Sequence, residues 1–205
     1  MKIYFYNMLP EPIKNFIEVF SALPSIGRRQ ATRLVFKLMD SGKAKIEEIE
    51  KSVRDLKLIK TCSRCFFIHS NKNDLCDICQ DQNRNHNIVA IVEKEIDLIS
   101  LERTKKFKGR YLVLGELVKT GDLESVQKLR LNHLKDWIKK QFGKAEEVII
   151  AINPTTYGDI NASAIAKELT PYSEKITRLG RGIPTGGEIE FSDEETLGSA
   201  LERRN

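Results

Sequence analysis

The chain has 205 residues, 40% of them hydrophobic, enough to bury a core in one medium domain or two or three small ones, which excludes a disordered chain. Its 34 lysines and arginines against 29 acids give a formal charge of +5, an excess that permits a polyanionic partner without requiring one. No segment reaches the roughly 18 apolar residues that a membrane span needs, and the opening MKIYFYNMLP is not a basic start with a long apolar run, so a soluble, cytoplasmic protein is expected.

Residues 11–22, EPIKNFIEVFSA, place Ile13, Phe16, Ile17 and Phe20 at helical spacing, and LPSIG then interrupts them with Pro24 and Gly27. A second helix is expected from Arg28 to Met39. Ala31, Leu34, Val35 and Leu38 form its apolar face, and Arg29, Arg33 and Lys37 a basic row at i, i+4, i+8. Arg28 and Arg29 stand at the positive end of that helix, where a cation is unfavourable by a few tenths to about 1 kcal/mol. Their placement suggests that they grip a backbone phosphate together with outward N–H groups of the hairpin; the alternative is a solvated face on a packing helix. LPSIGRRQATRL also fits the helix-hairpin-helix pattern, apolar-Pro-x-apolar-Gly with a small residue four positions on, which favours the phosphate reading. Arg28, Arg29, Arg33 and Lys37 are therefore the candidate DNA contacts. A third helix over 44–60 uses Ile46, Ile49, Val53, Leu56 and Ile59.

All four cysteines fall in CSRCFFIHSNKNDLCDIC, as Cys62, Cys65, Cys76 and Cys79. Two CxxC pairs with ten residues between them suit tetrahedral Zn2+, each pair bending two thiolates toward one ion. Four sulfur ligands leave no open position, so the zinc is expected to be structural and to stabilise a piece too small to fold alone. Two disulfides are the alternative, but nothing else suggests secretion. His69 and His86 are read as ordinary exposed histidines.

Strands and helices then alternate: strand 88–92, helix 95–103, strand 111–114, an amphipathic stretch over 122–142, strand 147–152, helix 160–169 and strand 176–179. This predicts an α/β layer with a mostly parallel sheet. Ligands gather at the carboxyl ends of such strands. Glu93 follows the first strand, and Asp159 lies in the turn after the third, in VIIAINPTTYGDINA; Asp159 also reads as N-cap of a helix beginning near Ile160. TKKFKGR, 104–110, is a basic cluster that either lines DNA or is a solvated loop. Arg178 and Arg181 flank Gly180 and read as subunit contact mixed with a phosphate grip. Ser192 and Glu195 form a capping-box pattern, and Trp137 is expected in the core.

The order of these parts, with the strings LPSIGRRQATRL, IVAIVEKEIDLISLERTKKFKGRYLVLG, AINPTTYGDINASAIAKEL and TRLGRGIPTGGEIEFSDEETLGSALERR, resembles the RecR family of bacterial recombination mediators. The α/β part is similar to the Toprim domains of topoisomerases and primases. The resemblance implies a helix-hairpin-helix domain over 1–60, a four-cysteine zinc finger over 61–82, a Toprim domain over 86–180 and a strand-helix segment for subunit contact over 181–205. It further implies a non-enzymatic DNA-binding protein acting with RecO, and in some settings RecF, in recombinational repair, where it helps load RecA onto single-stranded DNA. Such proteins form rings, usually tetrameric, that can surround DNA, and are nucleoid-associated when bound. The family's basic hairpin residues fall on Arg29 and Arg33, and the Toprim acids linked to RecO contact fall on Glu93 and Asp159.

Two departures stand out. Family members read NPTVEGEA or NPTVEGDA where this chain reads NPTTYGDINA, so Tyr157 replaces an expected glutamate, and LVKTGDLESV follows Glu116 in place of an SPL-type loop. Mg2+ prefers several carboxylates, so Glu93 and Asp159, even with Glu116 in partial support, make Mg2+ binding doubtful. The alternatives are a metal-dependent Toprim nuclease or phosphotransferase and a zinc-stabilised adaptor that binds only proteins. Against the first stand Tyr157 and the lack of a nucleophile domain or a GxxxxGK[ST] phosphate loop. Against the second stands the row Arg29, Arg33, Lys37.

Overall fold

The computed structural model describes residues 8–118, 120–202 and 204. They form two compact units that divide between Ile59 and Lys60.

The first unit is helical: α1 (Glu11–Ser21), α2 (Arg28–Asp40), α3 (Lys43–Asp55) and a 3-10 turn over Leu56–Leu58. Ile13, Ile17, Ala31 and Val35 are its buried centre, ringed by Leu9, Phe16, Phe20 and Ile26, so the 3.6-residue periodicity of both helices meets in one small core. The hairpin between them turns through Ser25, which sits in the left-handed region at φ 65°. The helix expected over 44–60 ends at Asp55, and no residue of α3 is buried: Ile46, Val53, Leu56, Leu58 and Ile59 of this stretch are all exposed.

The second unit begins with a two-stranded antiparallel hairpin, β1 (Lys60–Thr61) and β2 (Ile68–His69), and a single helical turn, α4 (Asp77–Gln80). A parallel four-stranded sheet follows, β3 (Ile88–Val92), β4 (Arg110–Val113), β5 (Ala145–Ala151) and β6 (Ser173–Arg178), in the order β4-β3-β5-β6. Between its strands run α5 (Glu95–Arg103), α6 (Ser125–Gln141) and α7 (Thr156–Leu169). Alternate strand residues separate onto two faces. Val89, Ile91, Leu112, Val148 and Ile150 pack against Leu131, Leu134 and Ile138 of α6 and Ile165 and Leu169 of α7. Ala90, Val92, Tyr111 and Val113 pack under Leu98 of α5, with Phe67, Ile78 and Phe107 against the same cluster. The expected α/β layer with a parallel sheet is borne out. Arg84 ties the stretch before β3 to α5 by a bidentate pair with Glu102, at 3.0 and 2.6 Å.

Helix starts depart most from expectation. Helix α7 opens at Thr156, not near Ile160, because the Thr155 hydroxyl accepts from the Gly158 N–H at 3.0 Å; Asp159 is therefore in the first turn and is not the N-cap. A Cβ at Gly158 would lie 1.9 Å from the Asn153 carbonyl oxygen, so only glycine allows this tight entry. In the carboxyl-terminal segment the expected strand is a 3-10 turn, Ile189–Phe191, which pairs with no strand among the described residues. Helix α8 (Glu194–Glu202) is capped by Asp193, whose carboxylate accepts from the Thr196 N–H at 2.8 Å. The Ser192 and Glu195 capping box is not formed: the Ser192 hydroxyl donates to the Glu188 carbonyl, and Glu195 pairs with Arg181. Trp137, expected in the core, is half-buried and packs against the edge of the core cluster. No described helix is long and apolar enough to cross a membrane.

Candidate metal centre and nucleic-acid interface

The first cysteine pair lies on the turn between β1 and β2. The Cys62 N–H donates to the Phe67 carbonyl at 2.7 Å and the Phe66 N–H to the Cys62 carbonyl at 3.0 Å, with Phe66 at φ 62° turning the chain back. The second pair brackets α4: Cys76 is its N-cap and Cys79 lies in its turn. The four sulfurs lie within 4.8 Å of one another and all four side chains are buried. Ligands at about 2.3 Å around one tetrahedral ion stand about 3.8 Å apart, so the cluster has the span of a closed four-thiolate site. The Cys76 N–H donates to the Cys62 sulfur at 3.4 Å, a contact that favours thiolate over thiol. Four soft donors that converge and are buried fit a structural metal ion. His69 is buried, contrary to expectation: β2 carries it inward, where its Nδ1 accepts from the Asn71 N–H at 3.2 Å. His86 is half-buried, its Nε2 3.2 Å from the Asp81 carbonyl. Neither joins the ligand set.

This module also covers the open edge of the sheet. Strand β4 is an edge strand, and its Val113 N–H donates to the Cys65 carbonyl at 2.9 Å. Arg110, at the start of β4, is 3% exposed; its Nη2 lies 3.9 Å from the Cys79 sulfur, and its guanidinium stacks 3.8 Å from the centre of the Trp137 ring. Burial pulls its pKa below the usual arginine value, although a guanidinium stays charged in proteins. The basic cluster 104–110 is therefore not uniform. Lys105, Lys106 and Lys108 are exposed, Phe107 packs edge-on against Tyr111 at 4.9 Å, and Arg110 points inward.

At the carboxyl edge of the sheet, β3 and β5 are adjacent while their onward connections run to opposite sides, a topological switch point. Glu93 and the turn before α7 flank it. The Glu93 carboxylate turns inward: it accepts from the Leu117 N–H at 3.4 Å and lies 3.6 Å from the Lys94 ammonium. Asp159 is held by two guanidinium groups, Arg181 and Arg178, and together they keep its carboxyl below the usual aspartate pKa near 3.8. A depressed folded-state pKa stabilises fully above that ordinary value, and the contribution is lost as pH falls below it and through the depressed folded-state pKa; at 39% side-chain exposure solvent screens much of it. Arg181 also pairs with Glu195, so Arg178 and Arg181 are engaged by acids of their own chain and do not form a vacant phosphate grip. A cleft of about 600 Å3 opens beside them, lined by Asn153, Pro154, Asp193 and Thr196 among others. Among the described residues, the cysteines are the one group of three or more potential ligands within reach of a common ion; Glu93, Glu116 and Asp159 do not converge.

In the helical unit, the Gly27 N–H is taken by the Gln30 side chain at 3.1 Å. Arg28, Arg29, Arg33 and Lys37 are all exposed; Arg29, Arg33 and Lys37 lie on the side of α2 away from Ala31 and Val35, whereas Arg28, in the first turn, lies one turn before Ala31 on its own side. Among the described residues, none of Arg29, Arg33 and Lys37 forms an ion pair.

Residues 87–180 match the family model for the Toprim domain, and residues 182–205 the model described as RecR, C-terminal. Proteins named Recombination protein RecR resemble the chain over nearly its whole length. That of Herpetosiphon aurantiacus is 38% identical over 202 residues, covering 97% of this chain and 96% of the relative. The chain belongs to the RecR family. The Clostridium perfringens RecR is 37% identical over 196 residues (95% and 96%) and the Myxococcus xanthus RecR 32% over 198 residues (96% and 98%). Within this RecR-family chain, sequence reasoning missed two partnerships. The Asp159 pair with Arg178 and Arg181 spans 19 and 22 positions and carries no local signal. Arg110 did leave one, as the single charged residue opening an otherwise apolar strand, RYLV.

Proposed function

We propose that this RecR-family protein is a recombination mediator in DNA repair that binds DNA without reading its sequence and works by assembly, not catalysis. The observation that carries the DNA reading is the exposed row Arg29, Arg33 and Lys37, with Arg28, on the helix that follows the hairpin. Cations at that spacing neutralise backbone phosphates, which position a protein on DNA but carry no base information. The residues divide by role into the helix-hairpin-helix piece (1–60), the cysteine finger (61–82), the Toprim piece (86–180) and the carboxyl-terminal segment (181–205). The ion in the finger is Zn2+, on the strength of four thiolate donors, and its role is structural.

Exposed large apolar side chains in two segments support a homo-oligomer: Val53, Leu56 and Leu58 in the helical unit, and Ile189, Phe191 and Leu201 in the carboxyl-terminal segment. A tetrameric ring around DNA is the assembly we infer, with RecO, and where present RecF, as partners in loading RecA. Glu93 and Asp159 are the acids we assign to partner contact, from their place at the switch point. The protein then acts in the cytoplasm, at the nucleoid when bound. Light scattering tests the assembly directly: the expected mass is four chains, rising further with DNA and again with RecO. A mass of one chain that DNA and RecO leave unchanged would overturn the reading.

The Toprim turn is not a metal-dependent catalytic centre in this proposal. Asp159 already has two cationic partners, and Tyr157 stands half-exposed where a ligand acid is expected. Tyr157→Glu alone is therefore expected to bind no Mg2+ in a calorimetric titration at millimolar ion, whereas adding Arg178→Ala and Arg181→Ala is expected to produce measurable uptake. Heat of Mg2+ binding from the unaltered protein would contradict the proposal.

A further inference from the structure

We propose that Arg110 is the counter-cation of the four-cysteine centre, so that metal occupancy and the edge strand of the sheet are tied by one buried charge. The inference rests on the reading of Cys62, Cys65, Cys76 and Cys79 as ligands of a divalent metal ion. Four cysteinates around one such ion keep a net charge of −2. All four side chains are buried, and a buried charge is expensive unless a partner of opposite sign lies close.

Arg110 supplies that partner. Its side chain is itself buried, no carboxylate pairs with it among the described residues, and its Nε and Nη1 have no hydrogen-bond partner there. Its Nη2 is directed at the Cys79 sulfur, 3.9 Å away. Stacking on Trp137 at 3.8 Å holds the guanidinium plane in place, but a stack alone does not explain a charge in this position, since a neutral side chain would pack there without losing hydration. Arg64 approaches the same corner and donates to the Cys79 carbonyl at 3.1 Å, leaving the sulfur to Arg110. Arg110 is paired in register with Val89 of the neighbouring strand, so its backbone belongs to the sheet while its charge belongs to the cysteine cluster. Outer partners of this kind tune how firmly a site keeps its ion.

The test uses the full chain loaded with Zn2+, and reads metal release to a chromogenic chelator and the thermal midpoint with and without metal. Arg110→Met, similar in length and neutral, is expected to release Zn2+ about tenfold faster or more, and Arg110→Lys, which restores the charge, to recover slow release. In the loaded protein Arg110→Met lowers the midpoint and Arg110→Lys restores it; in the metal-free protein, where the opened module returns Arg110 to water, Arg110→Met no longer lowers it. Recovery by a second cation of different shape would not come from a packing role. If the metal-free chain does not fold, the release rates of the two variants decide. Release at the unaltered rate from Arg110→Met, or equal release from Arg110→Met and Arg110→Lys, would overturn the role of Arg110. Failure of the unaltered chain to take up Co2+ with a thiolate-to-metal absorption band would instead remove the metal centre, and the role of Arg110 with it.

Discussion

Removing the metal is expected to unfold the cysteine module and lower the thermal midpoint of the second unit by more than about 10 °C. The module holds only two strands of two residues and one helical turn, and its own apolar contacts are Phe67, Leu75 and Ile78 around the sulfurs. Ordering roughly 20 residues costs about 1–2 kcal/mol each in backbone entropy, far more than three partly buried side chains return. A bound metal would supply the largest single offset, since structural zinc sites contribute about 10–16 kcal/mol in small peptides, and the packing of Phe67 and Ile78 on the sheet adds to it. Damage should reach the sheet, because the Val113 N–H is covered only while Cys65 keeps its place. Calorimetry with hydrogen exchange checks both parts: chelation, or Cys65→Ala, should lower the midpoint and speed exchange at Val113. A midpoint unmoved after verified metal removal would refute a structural ion.

The second large effect is expected at the hairpin. Arg29→Ala combined with Arg33→Ala should weaken binding to all DNA sequences alike and flatten the plot of log affinity against log salt by about 0.7–0.9 for each phosphate no longer neutralised. The fold should survive, since both side chains are exposed and the core of α2 is Ala31 and Val35. Anisotropy titrations at several salt concentrations measure the slope. An undiminished affinity with an unchanged slope would move the DNA-binding surface elsewhere on the chain, with Lys105, Lys106 and Lys108 the next exposed cluster to test.

The helices and strands of this chain are legible because burial imposes a period. Ile13 and Ile17 recur at helical spacing and become core, and IVAIV is buried from its second residue on. Helix starts are less legible, because several neighbouring residues can each supply a capping oxygen. Thr155 and Asp159 both offered one, as did Ser192 and Asp193, and the choice depends on which oxygen reaches an unpaired N–H in the folded turn. The Asn153–Gly158 approach settled the first case.

Sequence spacing alone specified the four-cysteine cluster, because two CxxC turns bring four sulfurs together through local geometry and one loop closure. It also specified the basic row on α2, since i, i+4, i+8 positions share a helix face whatever surrounds them. What surrounds a charge is a different matter, set by elements distant in sequence. Only the tertiary structure joined Asp159 to Arg178 and Arg181, turned Glu93 toward Leu117, and buried Arg110 between Cys79 and Trp137. Each of those side chains is an ordinary acid or base in the sequence; packing brings one to its partner and removes the water that would otherwise have solvated it.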